Sequence, residues 1–312
     1  LDVFAGGSLS YFRPAWIYSD NLGHIEQYIA EAAAHEVGHN MGLSHDGTTA
    51  GAEYYEGHGS GATSWSSIMG VGYYVDVSQW SKGEYYLANN TQDDLAIIAG
   101  KTPYRTDDVG NSIASAGALT ITNALFVSAT TPETDPTNTK PGNKGVIERN
   151  SDADFFAFTS GAGPVSFTVT PWVSPVNSRG GNLDLKLSIL NSAGATLAAT
   201  NPPDLTSASL TLTVATGTYY LVVSNAACGT PFANPPSGYT TYASLGQYFI
   251  NGTVSGTFTN PVNAGAVADG PELARLNWLN VGYDVLIAHA TGAPPASPVN
   301  GTAYSAGSAL AS

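Results

Sequence analysis

Three histidines and one glutamate lie close together near the start of the chain, in the stretch HEVGHNMGLSHDG that begins at His35. His35 and His39 are four residues apart, so on a helix both side chains project from one face. Two imidazoles placed in this way can bind one metal ion, at roughly 2.0 to 2.1 Å for zinc. Glu36 lies about 100° further round the helix and can reach a metal-bound water without binding the metal. This spacing indicates a catalytic metal site.

A third ligand is expected from the residues that follow the helix. Gly42 allows the helix to end sharply, and His45 can then return to the same metal while one coordination position stays open. The spacing H-E-x-x-H-x-x-G-x-x-H is much more specific than H-E-x-x-H alone. The alternative, that these are surface or capping histidines, is the usual interpretation of a lone histidine.

The stretch resembles the signature of the metzincin zinc endopeptidases. Asp46, directly after His45, is similar to the reprolysin and adamalysin branch, whose motif ends in His-Asp. Metzincins also carry a methionine turn beneath the metal. Met69, in SSIMG, is the sole candidate for it, because the only other methionine, Met41, lies on the predicted helix.

The resemblance implies roles for these residues. His35, His39 and His45 would bind zinc, and Glu36 would act as general base and pass its proton to the leaving amine. Asp46 would tie down the loop by hydrogen bonds, and the residues after Met69 would wall a substrate pocket. Some metzincins have a tyrosine zinc ligand two residues after the methionine. Here Val71 takes that place, and we expect Tyr73 and Tyr74 to serve in the pocket or in packing.

Two helices are predicted to frame the site. The first runs from about Gly23 to Met41, with an apolar stripe that we expect to pack on a sheet, formed by Ile25, Ile29, Ala33, Val37 and Met41. The second lies in TQDDLAIIAG, with Thr91 as the expected N-cap and Gly100 at its end.

The first domain, residues 1–105, is expected to be an α+β metzincin-like domain without its N-terminal part. Only an edge strand at residues 1–8, placed along the cleft, and a strand in PAWIYS are predicted before the zinc helix. The stripe would then lack much of its covering sheet. We therefore expect the natural protein to be longer, with an N-terminal fragment of the same precursor as a partner.

Residues 106–258 are predicted to form an all-β sandwich. Six β-rich runs are separated by Gly, Asn, Pro and Ser: DFFAFTS, PVSFTVTP, LDLKLSIL, SLTLTVA, TYYLVVS and GQYFINGTV. Residues 259–312 follow as a linker and a truncated immunoglobulin-like or fibronectin-like segment. The fold class is therefore α+β followed by an all-β sandwich.

The sandwich resembles the bacterial pre-peptidase C-terminal domain, a module of secreted proteases. The resemblance implies calcium binding by acidic loops, with Asp152, Asp154 and Asp184 as candidates, although acids in turns are often simply solvated. Trp172, Tyr239 and Tyr242 form either a binding face or, as we expect, core and turn packing.

The composition excludes several classes of partner. The net charge is -14, with 24 acidic and 10 basic residues, which disfavours nucleic acid and anionic membranes and favours cations such as calcium. One cysteine, Cys228, permits no internal disulfide, so any metal must be held by His and carboxylates. No apolar run reaches the roughly 18 residues of a membrane span. The Gly-, Ser-, Thr- and Asn-rich, Lys-poor composition suggests a secreted bacterial protein.

The expected function is therefore that of a secreted zinc endopeptidase acting on proteins or peptides. The alternative is a non-catalytic adhesive or surface-layer protein with a vestigial protease fold.

Overall fold

The computed structural model describes residues 14–139 and 141–256, and the backbone of residues 265–268 and 274–277. Its two α-helices are α1 (Glu26–Met41) and α2 (Asp94–Ala99). Its strands, in chain order, are β1 (Trp65–Ser67), β2 (Val77–Gln79), β3 (Gly117–Ala118), β4 (Ile121–Thr122), β5 (Phe126–Val127), β6 (Lys144–Ile147), β7 (Ala153–Ser160), β8 (Gly163–Pro171), β9 (Leu185–Asn191), β10 (Thr196–Thr200), β11 (Ala208–Val214), β12 (Gly217–Asn225), β13 (Cys228–Thr230), β14 (Ser237–Tyr239), β15 (Gly246–Thr253), β16 (Gly265–Ala268) and β17 (Ala274–Asn277).

Most of the described chain is a β-sandwich. One sheet has the strand order β10–β9–β12–β7–β3, in which β3 runs parallel to β7. The other has the order β11–β8–β15–β5–β4, and β6 also pairs with β15. All six predicted β-rich runs are strands, namely β7, β8, β9, β11, β12 and β15. The predicted sandwich is therefore confirmed as an architecture.

The sandwich core follows from the alternation of side chains along its strands. Phe156 and Phe158 of β7 point inward while their neighbours are partly exposed, because successive side chains of a strand face opposite sides. Phe158 packs against Phe167 of the other sheet, with 5.0 Å between ring centroids. Val165, Phe167 and the β9 residue Leu187 are fully buried in the same cluster.

Helix α1 ends where the sequence predicts. Gly42 has φ of 96°, a left-handed conformation that glycine adopts without a Cβ clash. Its N–H donates to the carbonyl of His39, and the N–H of Leu43 donates to the carbonyl of Gly38, both at 3.0 Å. This pair of bonds is a Schellman motif, which reverses the chain at once.

The apolar stripe on α1 does not pack as predicted. Ile25 and Val37 are 42% and 41% exposed, whereas Gln27, Glu31 and Gly38 are the buried positions of the helix. A four-residue spacing drifts about 40° per step around a helix of 3.6 residues per turn, so the stripe leaves the contact face. Buried Glu31 accepts a hydrogen bond from the Ser78 hydroxyl at 2.5 Å, and its burial raises its pKa.

Two further local predictions are wrong. PAWIYS forms no strand, and a short 3-10 turn (Ser19–Leu22) begins at its last residue. Thr91 does not cap α2, because Asp93 is the N-cap and its carboxylate accepts from the N–H of Ala96 at 3.0 Å. Asp93 lies two residues closer than Thr91 to the free N–H groups of the first turn, where its carboxylate can reach them.

Within residues 14–105 the structure holds two helices and one parallel pair, β1–β2. This is less than the twisted sheet that the metzincin resemblance implies, so the architecture does not support the predicted α+β metzincin domain. The edge strand predicted at residues 1–8 lies outside the described residues. So does most of the segment at 259–312, of which only the β16–β17 pair is described.

The N-terminal region and the sandwich are joined by a second hydrophobic core. The β13–β14 hairpin contributes two of its residues, and the complete set is Tyr55, Trp65, Val77, Tyr85, Cys228 and Tyr239. The Tyr242 hydroxyl also donates to the Asp93 carboxylate at 2.6 Å and accepts from the N–H of Leu95 at 2.8 Å. Tyr239 and Tyr242 are thus packing residues, as expected.

Candidate metal centre

The three predicted histidines are brought together. His35 and His39 lie one turn apart on α1, and the Schellman turn carries His45 back toward them. The ring centroids are 4.9 Å apart for His35 and His39, 4.8 Å for His39 and His45, and 5.3 Å for His35 and His45. One nitrogen from each ring lies within 4.8 Å of the other two. The spacing motif has therefore produced a compact triad of imidazoles.

The outer nitrogen of each ring has its own partner. His35 Nδ1 donates to the Ile68 carbonyl at 2.8 Å, and His39 Nδ1 donates to the Leu43 carbonyl at 2.9 Å. His45 Nδ1 lies 3.3 Å from the Glu53 carboxylate. Because these acceptors hold the proton on Nδ1, each Nε2 keeps its lone pair.

The Nε2 atoms are the ones that converge. Those of His39 and His45 are 3.0 Å apart. Burial lowers the pKa of His35 and keeps that ring neutral, the form that binds metal. The donor set, three neutral imidazoles with orienting partners, fits Zn²⁺.

Met69 packs against the helix that carries His35 and His39. It is fully buried, its carbonyl accepts the N–H of Asp46 at 2.9 Å, and its neighbour Ile68 holds His35. A Cβ built on Gly38 would lie 2.4 Å from the Met69 sulfur. Gly38, which the sequence analysis did not single out, is therefore where the methionine packs directly on the helix backbone.

Asp46 is buried behind the site. It is 2% exposed, and burial raises its pKa to about 6. Its carbonyl accepts the N–H of Tyr55 at 2.6 Å, so the loop that carries His45 is tied by backbone bonds on both sides. Glu36, in contrast, is exposed to solvent beside His35.

Two residues near the triad were missed by the sequence analysis. Glu53 contacts His45, and the Tyr54 ring lies 4.3 Å from the His45 ring and 6.2 Å from the His35 ring. Tyr73 instead packs on Tyr28 at 5.1 Å, and Tyr74 is 67% exposed. The tyrosine nearest the triad thus comes from the loop after His45, and no periodicity in the sequence marks it.

A cavity of about 450 Å³ lies beside the segment after Met69. Tyr74, Val75 and Asp76 line it, and the three histidines of the triad do not. Arg179, from the sandwich, completes its wall and pairs with Asp76 at 3.2 Å.

A second group of potential ligands lies at one edge of the sandwich. Oxygens of Asp107, Asp152 and Asp154 are within 4.8 Å of one another. Asp152 and Asp154 are 6% and 0% exposed, and each has one carboxylate oxygen without a hydrogen-bond partner. We call Asp107, Asp108, Glu148, Asp152 and Asp154 the acidic cluster.

The charges of the acidic cluster are poorly compensated. Among the described residues, the basic side chain that pairs with the cluster is Arg105, which lies 3.8 Å from the carboxylates of both Asp108 and Glu148. Neither oxygen of the Glu148 side chain, which is 3% exposed, has a hydrogen-bond partner. Burial and the neighbouring carboxylates raise the pKa of Glu148, and burial raises that of Asp154 to about 8.

Asp184 lies apart from the acidic cluster. It accepts a hydrogen bond from the Tyr239 hydroxyl at 3.1 Å and belongs to neither group of potential ligands found in the described part of the chain. The structure therefore brings two of the three predicted calcium residues together and adds Asp107 from the linker.

Comparison with known proteins does not assign a family. No protein-family model matches the chain, and no curated protein matches it. The pre-peptidase C-terminal domain of collagenase from Bacillus anthracis is a structural neighbour at 13% identity and a TM-score of 0.22, over 34% of this chain and 84% of that one. PliG from Aeromonas hydrophila, a periplasmic inhibitor of g-type lysozyme, matches at 10% identity and a TM-score of 0.25, over 45% and 96%. Likenesses this low carry no inference about function.

Neither helix of the described residues has the length and apolar content required to cross a bilayer.

Proposed function

We propose that this chain is a secreted zinc endopeptidase that hydrolyses peptide bonds of proteins. The observation that carries the proposal is the convergence of three imidazoles whose outer nitrogens each have an acceptor. Structural zinc sites usually have four protein ligands, whereas three leave a position for water or substrate. Secretion is proposed from the composition and from the resemblances to secreted proteases.

The chemistry assigned to the chain itself centres on Glu36. A zinc ion held by the triad would polarise the scissile carbonyl and lower the pKa of water. Glu36, exposed beside His35, would take a proton from the attacking water and give it to the leaving amine. Met69 and Asp46 hold the two segments that carry the histidines at a fixed separation.

The cavity beside Tyr74 and Val75 is proposed to receive a substrate side chain. It lies on the segment after Met69, its lining does not include the three histidines of the triad, and its volume falls within the roughly 300 to 1,000 Å³ of ligand pockets. Because Arg179 lines it, the sandwich contributes to substrate contact as well as to stability.

The test measures zinc content and cleavage of casein by the whole chain. We expect one zinc per wild-type chain and cleavage that Glu36→Gln reduces by roughly 10²- to 10⁴-fold while zinc content stays at one. Glu26→Gln, the same change at an exposed position on the first turn of α1, is the matched control. Zinc binding without cleavage by the wild type would favour the non-catalytic adhesive or surface-layer alternative. No zinc at all would overturn the proposal.

We propose that the acidic cluster binds Ca²⁺ as a second cofactor. Hard oxygen ligands suit calcium, and buried carboxylates without hydrogen-bond partners are costly unless a cation compensates them. Asp107 and Asp108 belong to the segment before the sandwich, and the other members to the β6–β7 turn and β7. Calcium would therefore fasten that segment to the sheet edge.

Titration of the zinc-loaded protein with Ca²⁺ tests this site. At about 100 times the dissociation constant, calcium should stabilise the protein by about 2.7 kcal/mol, seen as a higher Tm. Asp154→Asn should remove the shift, and Asp184→Asn, equally buried but outside the cluster, should keep it. An unchanged Tm in the wild type would sink the calcium proposal and leave the zinc proposal intact.

A further inference from the structure

The three histidines of the triad are not held in the same way. His35 and His39 donate to main-chain carbonyls, those of Ile68 and Leu43. Both also sit on α1, which fixes their backbone. His45 lies beyond the helix, and its outer nitrogen faces the side chain of Glu53. The orientation of this one ring therefore depends on a residue that a point substitution can remove.

Glu53 is held in place by its neighbour. The Tyr54 ring lies 4.3 Å from the His45 ring, and the Tyr54 hydroxyl bonds to the Glu53 side chain. The backbone on either side is fixed, since the N–H of Tyr55 donates to the Asp46 carbonyl at 2.6 Å and the Ala52 carbonyl accepts from the N–H of Thr48 at 2.9 Å. Glu53 and Tyr54 thus enclose the outer edge and one face of the His45 ring.

Resting on the proposed zinc site, we infer that Glu53 is a positioning residue that orients His45 for the metal. A carboxylate on Nδ1 fixes the tautomer with a free Nε2 and raises the basicity of the ring. The Glu53 side chain is 71% exposed, so it contributes little to folding, and its effect is confined to the metal site.

The experiment compares Glu53→Ala, Glu53→Gln and the control Glu26→Gln with the wild type, all as the whole chain. Zinc affinity is measured by competition with a chromophoric chelator, and Co²⁺ spectra report the geometry of the ligands. We expect Glu53→Ala to weaken zinc binding by roughly 10- to 100-fold. Glu53→Gln, which keeps an acceptor oxygen but not the charge, should fall between Glu53→Ala and the wild type.

Thermal unfolding of the metal-free proteins separates positioning from structure. We expect equal Tm values for all four proteins without metal and an altered Co²⁺ spectrum for Glu53→Ala. Equal zinc affinity in Glu53→Ala and the wild type would overturn this inference while the zinc proposal survives. A lowered metal-free Tm that accounts for the loss of affinity would also overturn it. Failure of the wild type to bind zinc would instead remove the proposed function itself.

Discussion

The contact between Gly38 and Met69 leads to a prediction about stability. Gly38→Ala should lower the free energy of unfolding when Met69 is present and raise it when Met69 is replaced by alanine. In an ordinary helix interior, Gly→Ala stabilises by about 1 kcal/mol. Here the new Cβ would meet the Met69 sulfur at 2.4 Å and a ring carbon of Trp80 at 3.2 Å. Met69 is fully buried and has no solvent to move into.

The magnitude follows from these two opposing effects. Carbon atoms pack best at about 3.5 to 4.0 Å, so the sulfur contact is more than an ångström too short. Overpacking of a core costs roughly 1 to 3 kcal/mol, which exceeds the helical gain. We expect Gly38→Ala to lower the free energy of unfolding by about 1 kcal/mol in the wild-type background. In Met69→Ala, where the sulfur contact is gone and only the Trp80 contact remains, it should raise the free energy of unfolding by about 1 kcal/mol.

Urea unfolding of the metal-free proteins as a double-mutant cycle measures this coupling. Met69→Ala alone should cost about 2 to 5 kcal/mol, since it leaves a cavity. The wild type and the three variants should share one m-value, so that midpoints compare directly. Stabilisation by Gly38→Ala in both backgrounds would refute the argument that this glycine exists to admit the methionine.

Two other predictions concern buried polar groups. Burial raises the pKa of Asp94 to about 8 from 3.8, so the folded chain holds a proton that the unfolded chain has lost. Between these pH values the free energy of unfolding should therefore fall as the pH rises. Asp94→Asn should make that fall shallower by up to about 1.4 kcal/mol per pH unit. Urea unfolding at several pH values measures the two slopes, and equal slopes in the variant and the wild type would contradict this. Tyr242→Phe should lower the free energy of unfolding by about 1 to 3 kcal/mol, because it leaves the N–H of Leu95 without an acceptor. The control is Tyr18→Phe at an exposed position. Equal Tm values for the two variants would contradict this prediction.

The sequence was sufficient for features that depend on local spacing. The four-residue step from His35 to His39, the glycine at position 42 and the return to His45 all follow from helix geometry and one left-handed residue. The six long strands follow from alternation and bounding turn residues. Each of these patterns spans about ten residues. Over that length the geometry of a helix or strand alone fixes where one side chain lies relative to the next.

Other features depend on contacts between distant segments. Glu53 faces His45 from a loop with no periodic relation to the helix. The importance of Gly38 comes from its contact with Met69, which is 31 residues away in the sequence. Asp107 joins Asp152 and Asp154 because the linker runs along the β7 edge, while Asp184 goes elsewhere. The exposure of Val37 likewise depended on which face the neighbouring segments covered.

The β13–β14 hairpin affects the order in which parts of the chain can fold during synthesis. The Tyr55 hydroxyl donates to His58 Nδ1 at 2.6 Å, and His58 Nε2 in turn donates to the Gly238 carbonyl at 2.7 Å across a separation of 180 residues. During synthesis the imidazole triad leaves the ribosome long before the segment that closes the core behind it. A nascent chain halted before Cys228 carries the three histidines but lacks the Gly238 carbonyl that accepts from His58. The core around Tyr55 can therefore close only after the β13–β14 hairpin has been translated.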